Sequence, residues 1–389
     1  MIDAVVAGHI CLDMIPAFPP RRAELSELFS PGRLTQVGEL VLSTGGTVSN
    51  TGLALHRLGA RVKLMGKVGR DQIARIIEAI LKSKGADCAM SVSPGEPSSY
   101  SFVLAPTGHD RMFLHCPGTN DTFTSADVDY SVVAQARLFH YGYPTLMSAM
   151  FANEGEELLK VMKTARETGA TTSLDVSLPD EKSPAGQAPW ERILARTLPY
   201  VDLFMPSVDE AIFMLSRQRW LALRERGATS RIPADDVVKA ARKALGLGAG
   251  AVVIKCGSSG IMLAAGDEHR LAKMGKTFQA TTATRLAPNT VLWQEAMKAE
   301  RMVSALGAGD CAVAGFLAAV LRGLDPVSCL RMASAAGAKN VEEMDATSGV
   351  RSWEDVSELA GGNWTSMPSG LDGNPAWGYD TQSRIWLLK

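Results

Sequence analysis

The sequence predicts an α/β fold: a doubly wound, mostly parallel sheet flanked by helices, with a small inserted β-sheet. Three observations carry this expectation. Short apolar strands alternate with amphipathic helices along most of the chain, and strand-then-helix repeats imply right-handed crossovers between parallel neighbours. Two short strand-like runs, residues 100–105 and 112–116, bracket the turn Pro106-Thr107-Gly108-His109-Asp110 and interrupt that alternation as an inserted hairpin. A hydrophobic content of 46% over 389 residues is ample for a large buried core.

Taken in order, an apolar strand at residues 4–6 ends at Gly8, and Asp13 follows where the strand reaches the carboxyl edge of a sheet, the edge at which such folds bind ligands. Asp13 reads equally well as a loop cap. Pro16, Pro19 and Pro20 break the pattern before a strand resumes at 39–42. Gly45 and Gly46 allow close backbone approach, residues 51–58 have helical spacing, and Gly59 stops that helix. Asn50 then starts a helix, either as its N-cap or as an amide that can both donate to and accept from a ligand hydroxyl. A strand at 62–68 and a helix at 71–84 ended by Gly85 complete the first units.

The alternation resumes with a strand at 138–141, a helix near 154–168 and a strand at 171–176 carrying Asp175 near its end. A further strand at 201–205 leads into Pro206-Ser207-Val208-Asp209-Glu210. Residues 217–243 mix Arg and Lys with Glu225, Asp235 and Asp236 and read as a solvated helical face. A buried strand at 251–255 ends on Lys255 and is followed by Cys256-Gly257-Ser258-Ser259-Gly260, whose glycines suit a phosphate or a purine edge. Residues 287–302 read as a helical stretch. Gly275-Lys276-Thr277 imitates the end of a P-loop, but Arg270 occupies the place of the required first glycine, so that motif fails.

Charge and cysteine content exclude several classes. Lys and Arg number 40 against 41 Asp and Glu, so no basic field attracts nucleic acid or an anionic membrane, and a small-molecule partner is expected. The six cysteines form no C-x-x-C pair and read as reduced core thiols, which suits the cytoplasm. No basic leader precedes the first strand, and the longest apolar run is about half the ~20 residues a membrane span needs.

The densest chemistry lies at residues 304–324. Gly307, Ala308 and Gly309 can bring bare backbone amides to a ligand, and an apolar helix begins just behind them, so amides and helix dipole together form an anion hole. Asp310 sits there either as a helix cap or as a base that takes the proton of an attacking hydroxyl. Gly307-Ala308-Gly309-Asp310 with Gly315, together with the earlier Gly45-Gly46-Thr47-Val48-Ser49-Asn50 followed by Leu53, Ala54, Leu55, Leu58 and Gly59, resembles the two signatures of the ribokinase-like (PfkB) carbohydrate kinases. The resemblance runs from about residue 4 to residue 343.

That resemblance implies a kinase domain over residues 1–349, with lid segments near 11–42 and 98–120 covering the substrate. Residues 350–389 would be an aromatic-rich extension packed on the body or on a partner subunit. It implies ATP and Mg2+ as cofactors, a sugar or sugar-like alcohol as substrate, and a homodimer formed through the lid. Asp310 would be the general base, and Gly307, Ala308 and Gly309 would stabilise phosphoryl charge. Asp13, Gly45, Gly46, Asn50 and Arg111 would bind the sugar; Ser207, Lys255, Gly257 and Gly260 would bind the nucleotide; Glu210 would order the metal through water. Ser207 stands where the family has Asn. Ser304-Ala305-Leu306 stands where it has Asp-Thr-Thr or a near variant, so dependence on a monovalent cation (K+) is expected to be weaker. Residues 267–303 exceed what the family needs. A nucleoside kinase of the same fold and a sugar-binding regulatory protein without turnover are the alternatives.

Overall fold

The computed structural model describes residues 2–20, 24–109, 112–227, 232–280 and 286–389. Its first strand, Ile2–Gly8, is buried from Ala4 onward, as a strand covered on both faces by helices must be; the continuous apolar run is the mark of a central parallel strand. It pairs in parallel with Ala136–Gly142 on one side and with Val62–Met65 on the other. Among the described residues the main sheet has eleven strands. Seven of them form the parallel part, in the order Asp87–Cys88, Val62–Met65, Ile2–Gly8, Ala136–Gly142, Thr171–Asp175, Leu203–Phe204 and Ala251–Lys255. Ile261–Ala265, Val291–Gln294, Ile385–Leu388 and Trp377–Asp380 extend it with antiparallel pairings.

A separate four-stranded sheet combines Leu40–Gly45, Cys11–Pro16, Tyr100–Leu104 and Met112–Cys116 in that order. Its strands come from the two stretches expected to form the lid. The helices Ala308–Leu321 and Pro326–Asn340 pack closely, because Gly315 has no side chain and a Cβ there would meet the backbone of Met332.

Several local expectations change. The strand expected at 62–68 breaks at Gly66, where a Cβ would press on Ile10; Val62–Met65 stays in the main sheet and Lys67–Gly69 pairs with Ser91–Ser93 in a two-stranded ribbon. Residues 287–302 do not form a helix. Val291, Leu292 and Trp293 make a strand instead, buried on both faces between Ile261–Ala265 and Ile385–Leu388, an environment that favours β-branched and aromatic side chains. The basic stretch 217–243 contains two helices, Arg217–Glu225 and Ala234–Gly246, whose inner faces bury Trp220, Leu223, Val237 and Ala241.

The tail after residue 361 is built into the body. Its strands Trp377–Asp380 and Ile385–Leu388 close one edge of the main sheet, and Trp377 meets Trp293 edge-on at 5.8 Å between ring centres. Burying one such aromatic side chain removes roughly 150–250 Å2 from water, worth about 4–6 kcal/mol before ordering costs.

Candidate active site

Five parallel strands deliver a polar residue to the same edge of the sheet. Ile2–Gly8 leads into His9, Ala136–Gly142 into Tyr143, and Leu203–Phe204 toward Ser207; Thr171–Asp175 ends on Asp175 and Ala251–Lys255 on Lys255. The Ala308–Leu321 helix begins against this row. Its N-cap is Gly307, held at φ 70 where a Cβ would strike the backbone of Ala346, so only glycine fits there.

Asp310 is not a cap. It is the third residue of the helix, 3% exposed, and its carboxylate accepts hydrogen bonds from Asn50 Nδ2 at 3.0 Å, Thr51 Oγ1 at 3.1 Å and the Tyr143 hydroxyl at 2.8 Å to each oxygen. Asn50 is not the start of its helix either. Thr47–Arg57 begins three residues earlier with Gly46 as N-cap, so the Asn50 amide is free to cross to Asp310, and its Oδ1 has no partner within the protein.

On the lid side of Asp310, the chain brings Asp13 against Gly45. A Cβ at Gly45 would run into the Asp13 carboxylate, which explains the first glycine of the pair. Burial pushes the Asp13 carboxyl up to about 6, partly offset by hydrogen bonds with Cys11 and Ser101. The second glycine, Gly46 at φ 85, leaves its Cβ direction to the backbone and ring of His9. His9 is buried with neither ring nitrogen hydrogen-bonded, and burial pushes it down to about 3, so its imidazole is neutral. Its ring lies 5.4 Å from that of His115 on the lid and 6.3 Å from that of Tyr143, at the junction of lid and main sheet.

On the other side of Asp310 a cleft of about 880 Å3 opens, lined by Tyr143, Asp175, Glu210, Lys255 and the Gly307–Asp310 turn among others. The Lys255 ammonium donates to Asp175 Oδ1 at 2.7 Å, and its carbon stem lies 3.7 Å from where a Gly309 Cβ would be. Burial alone would lower Lys255, but Asp175 and Glu210 outweigh it and hold the ammonium up; burial raises both carboxyls in turn. Ser207 and Glu210 cap their own helix reciprocally: Ser207 Oγ accepts from the Glu210 amide at 3.3 Å, and Glu210 Oε2 accepts from the Ser207 amide at 2.6 Å. This capping box uses one Glu210 oxygen, and Glu210 is also among the residues lining the cleft.

The two loop glycines separate. Gly257 lines the cleft with open space around it, whereas Gly260 packs its Cβ direction against the backbone of Gln294 and Glu295 and is a close-packing residue. Arg111 lies outside the described residues. Among the described residues no group of three or more His, Cys, Asp or Glu side chains is arranged to hold a metal unaided, and no helix is long and apolar enough to cross a membrane.

Sequence reasoning missed Tyr143, Thr51 and His9. Tyr143 had a readable signal, since it follows a parallel strand directly at the ligand-binding edge. His9 carried the same signal, directly after Ile2–Gly8, whereas Thr51 carried none, because only the tertiary packing brings it to Asp310.

The fold and this cleft define an α/β protein with a polar cleft at the carboxyl ends of its parallel strands. The chain belongs to the pfkB family of carbohydrate kinases, whose family model matches residues 1–353. It is 24% identical over 298 residues to an uncharacterized sugar kinase of Archaeoglobus fulgidus, covering 77% of this chain and 98% of that protein. Fructokinase-1 of Oryza sativa subsp. japonica is 28% identical over 165 residues, which is 42% of this chain and half of that enzyme. Among solved structures, Arabidopsis thaliana ribokinase complexed with ribose and ATP superposes with a TM-score of 0.68 at 19% identity, covering 93% of this chain and all of that one. An E. coli protein solved with ATP and Mg2+ gives 0.67 at 18% identity, covering 92% and 99%. At these identities the structural likeness speaks for the fold.

Proposed function

We propose that this carbohydrate kinase transfers the γ-phosphoryl group of ATP to a hydroxyl of a sugar or sugar-like alcohol, with Asp310 as general base. One observation carries the reading: the Asp310 carboxylate, held by hydrogen bonds from Asn50, Thr51 and Tyr143, lies at the Gly307–Gly309 turn and lines the 880 Å3 cleft. A hydroxyl donor held by Asp13 and Asn50 would reach Asp310, while phosphate oxygens would meet the Gly307–Gly309 amides and Lys255. The hydroxyl proton passes to an Asp310 oxygen as the substrate oxygen bonds to the γ-phosphorus. The bond from that phosphorus to the β–γ bridging oxygen breaks, and ADP leaves with its electron pair.

Mg2+ bound to the phosphates would neutralise their charge. The site suits it: Asp175 and Glu210 are buried carboxyls raised by burial, which a divalent cation would relieve, and Mg2+ keeps several waters and needs only one or two carboxylates. Glu210 and Asp175 would hold its water shell, and Lys255 would remain on the phosphates. Ser207 serves this site through its cap on the Glu210 helix.

The lid sheet leaves Leu40, Val41, Leu42, Phe102, Phe113 and Leu114 exposed, and a second copy of the chain is the proposed cover. The kinase body then spans residues 1–349, with 350–389 as an extension that packs on the same body. Coupled ADP release, measured over hexoses, pentoses, ketohexoses and nucleosides with Mg2+ present, tests the reading. Turnover with a sugar supports it; turnover confined to nucleosides replaces the substrate class, and ATP binding without turnover on any acceptor rejects catalysis.

A further inference from the structure

The cleft that would hold the nucleotide has a wall from an unexpected source. Besides the Gly307–Asp310 turn and the Cys256–Ser259 loop, it is lined by Ser369 and Gly370, from the tail that follows the family's matched region at residue 353. This short loop is fixed at both ends. Before it, the Met367 amide donates to the Ala296 carbonyl at 2.8 Å and Ser366 bridges Met297; after it, Leu371 is fully buried.

Between these anchors, the Ser369 hydroxyl donates to Glu295 Oε1 at 2.8 Å, and the same oxygen accepts from Trp386 Nε1 at 3.2 Å. Glu295 thus ties the loop to the last strand of the chain, and it follows the strand whose Trp293 also lines the cleft. The loop is therefore positioned by the sheet and does not drape loosely over it. Gly370 remains exposed beside the cleft.

Distance from the chemistry decides which part of a ligand this wall meets. With the terminal phosphate at Gly307–Gly309 and Lys255, the remainder of a nucleoside triphosphate must extend away from Asp310 along the cleft. Besides the turn, Lys255 and the carboxylates, the cleft is lined by Ile232, Pro233 and Val237, and by Trp293, whose Nε1 donates to the Ser259 carbonyl of the neighbouring loop, with Ser369 and Gly370. We infer that the loop around Ser369 and Gly370 forms part of the nucleoside-binding wall, so that the C-terminal extension takes part in nucleotide recognition as well as in stability. This rests on the kinase reading above, and it adds a ligand contact from outside the family's matched residues.

Two ligands separate the ends of the cleft: a non-hydrolysable ATP analogue and inorganic tripolyphosphate, which carries the phosphates without the nucleoside. In the full-length wild-type protein, amide hydrogen exchange of residues 366–371 should slow when the ATP analogue binds and stay unchanged with tripolyphosphate. Calorimetry on full-length Ser369→Leu should show the ATP analogue weakened by about tenfold or more, with tripolyphosphate altered by less than about twofold. Unchanged exchange in the wild type on binding of the ATP analogue overturns the inference, whether or not the variant folds. Equal weakening of both ligands in a folded Ser369→Leu protein also overturns it. A wild-type protein that binds no nucleotide at all rejects the kinase reading itself, and the inference with it.

Discussion

The Tyr143 hydroxyl donates to both carboxylate oxygens of Asp310, at 2.8 Å each. The residue achieves this from a left-handed backbone conformation, φ 64 and ψ 42, which is uncommon for a bulky side chain and is found where a structure over-determines a functional position. Burial and the neighbouring Asp310 charge raise the phenol well above its ordinary range, so it stays a donor throughout the working pH range. In the proposed reaction, Tyr143 would aim the carboxylate and hold a place that the substrate hydroxyl takes over or shares.

Removing that hydroxyl should disturb alignment without disturbing nucleotide binding. Tyr143→Phe is expected to fold and to keep its ATP affinity, with kcat reduced by about ten- to a hundredfold, the usual scale for a lost hydrogen bond to a charged group. Steady-state kinetics beside calorimetry measure this. A kcat unchanged from wild type shows that Tyr143 plays no part in turnover.

Asp13 should trade stability for binding in a pH-dependent way. Its carboxyl titrates near 6 in the folded protein, against 3.8 unfolded. Between those values the folded state holds a proton that the unfolded chain has released, so this contribution is fully present below about 3.8 and is lost as pH rises through about 6. Asp13→Asn should thus melt higher than wild type at pH 7, by an amount on the order of 2–3 kcal/mol at most, and show little difference at pH 4. It should also weaken sugar binding. A variant less stable than wild type at pH 7 contradicts the burial cost assigned to Asp13.

Dependence on K+ should be weak. Ser304 brings a hydroxyl where the family pattern brings a carboxylate, and that hydroxyl already accepts from the Leu306 amide at 3.1 Å. Hard cations are held by charged oxygens. Activity in tetramethylammonium buffers should stay near that with K+; a many-fold rise on adding K+ contradicts this.

Deleting residues 362–389 should destabilise the protein. The deletion removes Trp364, Leu371, Trp377, Ile385 and Trp386, all buried, and leaves Val291–Gln294 as an open strand edge, the kind that invites aggregation. Thermal melting and light scattering test it. A truncated chain that melts at the wild-type temperature and stays monodisperse shows that the tail contributes nothing to the body.

The parallel sheet was legible because its strands are continuous apolar runs, as in Ala4–Ala7 and Val252–Ile254, separated by helices with clear stops such as Gly59 and Gly85. The glycines of the site were legible as well, since a glycine placed before a helix states a steric need. Hydrophobicity alone misassigned residues 291–294, which are placed in the sheet by long-range pairing with Ile261–Ala265 and with the last strand of the chain. The contacts of Asp310 with Thr51 and Tyr143 span 259 and 167 residues, and no local pattern encodes them. Nor could sequence tell that Gly260 turns away from the cleft while Gly257 faces it.

Asp310 supports the central claim most directly, because it is not a helix cap and its replacement should spare the fold. Asp310→Asn keeps the size of the side chain among its Asn50, Thr51 and Tyr143 neighbours and removes the proton acceptor. On an acceptor that wild type phosphorylates, kcat should fall by about 100-fold to 10,000-fold, the range for losing a general base, with melting temperature and calorimetric ATP affinity close to wild type. A folded Asp310→Asn protein that keeps more than about a tenth of wild-type kcat, a smaller loss than removal of a general base produces, contradicts the assignment of Asp310 as the catalytic base.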